Sequence, residues 1–234
     1  MIDGELLIYS GELQNFLLVE GIDDAHVLKS LLRHYGIPHV FRGLPKYDPI
    51  PKGLVRINSH EGIGNLLDAV EVTLIGSGER RIGIIVDADI DIAARWQSLR
   101  DRLIQVGYSA VPQIPVTEGT IVQQEDLPIV GLWLMPDNTF PGMLEDFVSF
   151  LVPPNDLLWP IAERTVQQVI QTDRRFLQEH TSKARIHSWL AWQKIPGTPL
   201  GQSITARYLD AAAPHAQQLI RWLRKLFDLE MVST

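Results

Sequence analysis

The chain has 234 residues, and 45% of them are hydrophobic, which is enough for a sizeable core and too many for wholesale disorder. Its 28 Asp and Glu residues outnumber its 21 Lys and Arg residues and give a net charge of −7. It contains no cysteine, which excludes disulfides, thiolate zinc sites, iron–sulfur clusters and cysteine nucleophiles.

The first half of the chain alternates predicted strands with predicted helices. Apolar runs predict four strands, at residues 16–19, 39–41, 54–57 and 82–86. Helical spacing, mostly ended by glycine, predicts three helices, at residues 25–35, 63–75 and 91–106. Asp23 or Asp24 is a predicted cap of the first helix. This alternation predicts an α/β fold with a mainly parallel sheet flanked by helices.

The second half departs from this pattern. Residues 120–124 and 129–135 predict a hairpin at the edge of the sheet, and a short helix is predicted at 143–151. After two prolines the chain is predicted to be mostly helical, at residues 157–171, 173–180, 182–192 and 214–229. We therefore expect an α/β domain at residues 1–152 and a helical C-terminal extension at residues 153–234, packed on it.

The sequence favours a cytoplasmic protein. The N-terminal segment MIDGELLIYSGELQNF is acidic and lacks the basic and apolar regions of a signal peptide. There is no run of about 18 apolar residues, so we expect no membrane span and no membrane partner. Residues 1–159 are acidic and residues 160–234 mildly basic, a pattern that favours divalent cations and phosphates respectively, or that reflects random surface variation.

Acidic residues follow two of the predicted buried strands. Glu20 follows the first strand, and Asp87 and Asp89 follow the strand at 82–86. Ligands of α/β folds bind beyond the carboxyl ends of parallel strands. In an extended chain Asp87 and Asp89 share a face, and Asp24 lies one helical turn beyond Glu20. The sequence therefore predicts a group of carboxylates at one edge of the sheet.

Such a group is costly without a partner. Carboxylates a few ångströms apart raise each other's pKa, and a hard divalent cation relieves their repulsion. Two ions about 3.5–4 Å apart can stabilise both the attacking and the leaving oxygen of a phosphodiester cleavage. Helix capping is the simpler interpretation for Asp23 and Asp91, but it does not explain acids at the ends of two separate buried strands.

Two segments resemble the TOPRIM domain, which occurs in topoisomerases, bacterial primases, recombination mediators and OLD-family nucleases. LLVEGIDDAHVL at 17–28 resembles its Glu-Gly motif after a strand, and IIVDADID at 84–91 resembles its Asp-x-Asp motif. The resemblance covers about residues 14–150. It implies that Asp87 and Asp89 bind Mg²⁺ and that Glu20 serves in acid–base chemistry or as a further ligand.

Within that superfamily, the chain is most similar to OLD-nuclease-type domains and to small uncharacterised TOPRIM-like prokaryotic proteins. The resemblance rests on Asp24, four residues after Glu20, and on a later Gly-x-x-Glu element within PGMLED at 141–146. It implies two Mg²⁺ or Mn²⁺ ions, with Asp24, Asp137 and Glu145 helping to hold the second. It also implies a catalytic lysine, for which Lys183 is the best-placed match.

The sequence also departs from these relatives. It has no phosphate-binding GxxxxGK[ST] loop, so the ATPase half of full OLD proteins is missing. It lacks the zinc-binding cysteines of complete primases and recombination mediators, and no glycine follows its Asp-x-Asp motif. A further hypothesis is therefore that a protein partner supplies an ATPase or targeting.

Other residues could contact a nucleic acid. Three basic residues of the last predicted helix could bind phosphates or form a solvated face: Arg221, Arg224 and Lys225. Three tryptophans could stack bases, although their spacing favours the core: Trp189, Trp192 and Trp222. His26, near the acidic motif, and His187, one helical turn from Lys183, have functional or structural interpretations. The loop at 76–78 could cradle a phosphate or simply end a helix.

Together these features predict a divalent-metal-dependent phosphodiester hydrolase, a nuclease, that acts on DNA or RNA. One alternative is a non-catalytic module that binds a metal or nucleotide and acts through a protein partner. Another is a hydrolase of a small nucleotide. Salt dependence separates the last alternative, because long nucleic acids lose affinity steeply with salt and a single nucleotide does not.

Overall fold

A computed structural model describes residues 14–43, 51, 53–75 and 79–229 of the chain. The loop at 76–78 and most of the N-terminal segment discussed above lie outside the described residues. None of the helices in the described part is long and apolar enough to cross a membrane.

The centre of the fold is a six-stranded sheet of order β2-β3-β1-β4-β6-β5. Its strands are β1 (Asn15–Val19), β2 (His39–Phe41), β3 (Val55–Ser59), β4 (Arg81–Asp87), β5 (Thr120–Val122) and β6 (Ile129–Met135). Four neighbouring pairs are parallel, and β5 pairs antiparallel with β6 at the edge. The predicted α/β class, the mainly parallel sheet and the edge hairpin are therefore confirmed.

Eight α-helices flank the sheet within the described residues. They are α1 (Ile22–His34), α2 (Ile63–Leu74), α3 (Ile92–Val106), α4 (Leu144–Ser149), α5 (Trp159–Asp173), α6 (Thr181–Leu190), α7 (Leu200–Thr205) and α8 (Pro214–Phe227). The helix predicted at 173–180 is wrong except for one 3₁₀ turn at Gln178–His180, because Arg174 turns the backbone into an extended conformation with ψ of 119°. The short helix α7 was not predicted.

Each face of the sheet supports its own hydrophobic cluster, because side chains alternate along a strand. Leu17 and Val19 of β1 face the cluster formed with α1, α4, α6, α7 and α8. Leu18 of β1 and Ile84 of β4 face the cluster formed with α2 and α3. The first cluster also contains C-terminal residues such as Leu223, so one core joins both parts of the chain. The division at residue 152 stays a prediction.

A glycine sets the distance between α1 and α7. A Cβ placed on Gly201 would lie 2.5 Å from the backbone oxygen of His26, closer than real Cβ contacts. Overpacking of this kind costs about 1–3 kcal/mol, and backbone atoms cannot move aside as a flexible side chain can.

We expect Gly201→Ala to lower the free energy of unfolding by about 1–3 kcal/mol, measured by urea denaturation. Gly64→Ala is the matched control, because its Cβ would meet open space on the exposed side of α2. The control should raise stability by about 0.5–1 kcal/mol through helix propensity. Equal effects of the two substitutions would contradict the close approach of α1 and α7.

Candidate functional site

Two of the acidic residues predicted from the sequence, Glu20 and Asp87, lie at the carboxyl ends of β1 and β4, which are neighbours in the sheet. After β1 the chain passes through α1 to β2 and β3 on one side, whereas after β4 it passes through α3 to β5 and β6 on the other. Connections that diverge from two adjacent parallel strands open a crevice at their carboxyl ends, where α/β proteins bind ligands.

Backbone amides hold two of the carboxylates in this crevice. Glu20 Oε1, just past β1, accepts a hydrogen bond of 2.8 Å from the amide of Asp87, the last residue of β4. Asp87 Oδ1 in turn accepts a hydrogen bond of 2.9 Å from the amide of Leu144, the first residue of α4. Glu145, the next residue of α4 after Leu144, is thereby placed beside Asp87. Two strands and one helix therefore assemble the site.

Asp24 enters the same space from the first turn of α1. Its side chain is only 7% exposed, and Oδ2 accepts a hydrogen bond of 3.0 Å from the amide of Gly21, the residue that caps the helix. Burial raises the pKa of Asp24 to about 7, with a further contribution from the charge of Glu20. A carboxyl that also serves the helix start is thus kept close to its protonation midpoint at neutral pH.

Glu20, Asp24, Asp87 and Glu145 are hereafter called the carboxylate cluster, and burial raises the pKa of the first three. Burial raises the pKa of Asp87 well above its ordinary value, and the charges of Asp24, Glu20 and Glu145 raise it further. Burial also raises the pKa of Glu20, against the lowering effect of its hydrogen bond from Asp87. Such a cluster needs protons or cations to neutralise part of its charge.

Lys183 supplies one cation at the edge of the cluster. Its Nζ lies 3.1 Å from Glu145 Oε1, and Glu145 is 5% exposed whereas the lysine side chain is half exposed. The lysine comes from α6, which packs on α4. The structure therefore brings the predicted lysine to the predicted carboxylates, although they are far apart in sequence.

Asp89 lies at the rim and not beside Asp87 in an extended chain. The strand β4 ends at Asp87, and Asp89 has a left-handed φ of 53°, so the expected two-residue alternation does not continue. The Asp89 amide donates to Gly142 O at 2.9 Å, and its carboxylate forms an ion pair with Arg95 of α3. Its charge still contributes to raising the pKa of Asp87 and Glu20. Metal binding by Asp89 stays a prediction.

Asp137 serves the turn that follows β6. Its Oδ1 accepts hydrogen bonds from the Thr139 amide at 2.9 Å, the Thr139 hydroxyl at 2.8 Å and the Phe140 amide at 3.2 Å. Asp side chains often stabilise turns in this way. The prediction that Asp137 helps to hold a second ion stays a prediction, and the described contacts of this carboxylate are those of a turn.

The other residues singled out in the sequence serve as a helix cap, lie in the core or are exposed. Asp91 caps α3, because its side chain accepts a hydrogen bond of 2.9 Å from the Ala94 amide. Trp189 and Trp222 are buried in the core, which leaves them no face for a base, whereas Trp192 is 40% exposed. His26 and His187 are exposed, with His26 packed edge-on against Phe41. Both stay open candidates.

Sequence reasoning missed Arg95 and left the role of Asp146 open. Arg95 holds Asp89, and its charge lowers the pKa of Glu20. Asp146 Oδ2 accepts hydrogen bonds from the Met143 amide at 2.9 Å and the Ser182 hydroxyl at 3.1 Å, which ties α4 to α6. An acid at the third position of a helix is a recognisable capping signal, so this contact of Asp146 could be predicted from the sequence. No local signal indicates that Arg95 pairs with Asp89.

The donor set fits a hard divalent cation. The cluster offers carboxylate oxygens, which Mg²⁺ and Mn²⁺ prefer. Burial, and after it the repulsion between carboxylates, raises the pKa of Asp24 and Asp87, and a bound cation relieves that repulsion. In the described part of the chain, no three Asp, Glu or His side chains are already spaced to hold an ion. Mg²⁺ usually takes one or two carboxylates and keeps several waters, so a complete protein cage is not required.

Comparisons with known proteins give one family model and two solved structures. A family model described as "Protein of unknown function (DUF3226)" matches residues 14–228. Two structures of the C-terminal region of the Xanthomonas campestris pv. campestris OLD protein, phased with platinum and with mercury, are 13% identical to the chain with TM-scores of 0.46. They cover 97% and 92% of this chain, and 97% of each of those chains is covered. No curated protein matches.

Proposed function

The chain belongs to the DUF3226 family, and we propose that it is a divalent-metal-dependent phosphodiester hydrolase that cleaves nucleic acid with a TOPRIM-type site. The carboxylate cluster carries this proposal. Glu20 and Asp87 lie at the ends of two adjacent parallel strands, and Asp24 and Glu145 lie in the first turns of α1 and α4. Burial, with a further contribution from neighbouring carboxylates, raises the pKa of Asp24 and Asp87. Gathering buried carboxylates in one place costs free energy, and a structural role does not require it. A cation site does require several carboxylates in one place.

The residues have distinct roles in this proposal. Asp24 and Asp87, the two carboxylates with the most strongly raised pKa values, are the central ligands of Mg²⁺ or Mn²⁺, with Glu145 beside them. A bound ion supplies Lewis acidity toward the phosphoryl oxygens and lowers the pKa of a bound water. Glu20, held through Oε1, is either a further ligand or the general base. Asp89 becomes a metal ligand only if its carboxylate leaves the ion pair with Arg95 and binds the ion instead.

Lys183 is the proposed cationic catalyst. Its ammonium group neutralises Glu145 at 3.1 Å, and its half-exposed side chain faces both the cluster and solvent. A positive charge in this position can stabilise the charge that develops on a scissile phosphate. In this proposal Glu145 therefore has two roles: it binds the metal and it positions Lys183. In the proposal for two ions, Asp24, Glu145 and Asp137 hold the second.

Nuclease assays test the proposal directly. Purified protein should cleave at least one substrate among supercoiled, linear and single-stranded DNA and RNA in Mg²⁺ or Mn²⁺, and EDTA should stop cleavage. If the protein is folded and binds the metal but cleaves none of these substrates, the hydrolase proposal is contradicted. That result would favour a binding module that works through a protein partner, which could also supply an ATPase or targeting.

Metal binding itself should be visible in thermal unfolding. Mn²⁺ at about 100 times its Kd should raise the free energy of unfolding by about 2.7 kcal/mol, because it binds only the folded state. An equal ionic strength of NaCl is the control for screening, and Asp24→Asn with Asp87→Asn is the control for the site. A shift of the same size in the double variant would place the ion elsewhere.

A further inference from the structure

A groove of about 860 Å³ runs between α1 and the segment that leads into α7. One wall is the outer side of α1, and the other is formed by residues 195–199, one side of α7 and Ala206. The groove begins at Ile22 and Asp23, in the same helical turn that carries Asp24 on its buried side. It therefore leads away from the carboxylate cluster along the surface.

The α1 wall carries positive charge that the fold does not use. Lys29 and Arg33 lie one helical turn apart and both line the groove, and His26 precedes them on the same side. Neither Lys29 nor Arg33 forms an ion pair or side-chain hydrogen bond with another described residue. Asp23 is the one acid among the described lining residues. In a chain of net charge −7, this favours an anionic ligand.

The remaining polar lining fits a sugar-phosphate backbone. Ser30, Gln202 and Thr205 add hydroxyl and amide groups, and proteins contact phosphates and sugars chiefly through Arg, Lys, Ser, Thr and Gln side chains. The described lining of the groove contains no Phe, Tyr or Trp ring on which a base could stack. The chemistry therefore favours the backbone over the bases.

We propose that this groove binds the phosphate backbone of the nucleic acid strand that flanks the scissile phosphate. The inference rests on the proposed nuclease function and adds to it how the substrate is held: by its phosphates, through Lys29 and Arg33, and without regard to sequence. The groove is formed before the substrate arrives, for two reasons. Gly201 packs closely on the backbone of His26, and the opposite wall contains Pro196 and Pro199.

The test removes both charges with Lys29→Gln plus Arg33→Gln and measures binding of labelled 20-nucleotide DNA and RNA by fluorescence anisotropy in Mg²⁺. All proteins in this binding test also carry Asp87→Asn, which is expected to abolish cleavage of the labelled strand. We expect Kd to rise at least about 10-fold, since hydrogen bonds to charged groups are worth about 1.5–3 kcal/mol each. The slope of log K against log salt should become shallower by about 0.7 for each lost phosphate contact with a single strand. Homopolymers of different bases should respond alike.

Arg174→Gln plus Arg175→Gln is the matched control. These two residues are also basic and exposed, and they lie directly after the end of α5, outside the groove. The control variant should keep the Kd and salt slope of the parent protein. Equal weakening by both pairs would indicate a general charge effect and would overturn the groove.

Cleavage assays separate the two proposals. If the parent protein cleaves nucleic acid and the Lys29 and Arg33 variant retains its KM and salt slope, the groove is overturned and the nuclease stands. If the parent protein neither binds nor cleaves any nucleic acid in the presence of metal, the nuclease proposal fails and the groove falls with it. Support requires a raised KM in the variant, with a smaller change in kcat.

Discussion

Asp87→Asn is expected to abolish metal-dependent cleavage without unfolding the protein. The substitution removes one charge from the centre of the carboxylate cluster, and Asn keeps an Oδ1 that can accept the hydrogen bond from the Leu144 amide. Removing one group that stabilises transition-state charge typically costs about 10²–10³ in rate, and a central metal ligand should cost at least that much. Because burial and its neighbours raise the pKa of Asp87, its neutral replacement should not lower stability at neutral pH.

Asp91→Ala provides the matched control for this result. Asp91 lies four residues further along the chain and is also an acid of the DADID segment, but its side chain caps α3. Losing an N-cap costs about 0.5–2 kcal/mol, so this variant should be less stable and retain its cleavage rate. Initial rates and urea denaturation measure both variants. Normal cleavage by Asp87→Asn, or a large loss in Asp91→Ala, would contradict the proposed site.

The metal-free protein is expected to lose stability as the pH rises from about 4 to about 7. Burial raises the pKa of Asp24 from 3.8 to about 7 in the folded state, so the folded state binds more protons than the unfolded state across this range. The contribution is fully present below the unfolded pKa and is lost as the pH passes the folded pKa. Each pKa unit corresponds to about 1.4 kcal/mol, which makes about 4 kcal/mol the upper limit for Asp24 alone.

Asp24→Asn should remove this part of the pH dependence. The variant should unfold with nearly the parent stability at pH 4 and be more stable by up to about 4 kcal/mol at pH 8, measured by urea denaturation in EDTA. Asp23→Asn is the control, because it removes the same charge from the exposed side of the same helical turn. Mg²⁺ or Mn²⁺ at pH 8 should stabilise the parent protein far more than Asp24→Asn. Parallel pH profiles of the parent and Asp24→Asn would contradict a strained carboxylate.

The elements of the sheet could be predicted because their signals are local. Leu17 to Val19 and Ile82 to Val86 are short apolar runs, and the carboxyl ends of parallel strands meet at one edge. Placing Glu20 and Asp87 at the same edge of the sheet therefore needed only the assignment of two strands, whereas their contact also required β1 and β4 to be neighbours. The hairpin of β5 and β6 followed from two apolar segments separated by a short polar link, and the cap formed by Asp91 followed from its position before a periodic helix.

The sequence by itself determined the fold class, the core strands and the acids at their ends, because apolar periodicity and capping act over a few residues. Only the tertiary structure decided which side chains meet. It placed Lys183 on Glu145 and opened the groove between α1 and α7. These outcomes depend on how loops and helices distant in sequence pack against each other, which no local pattern of residues encodes.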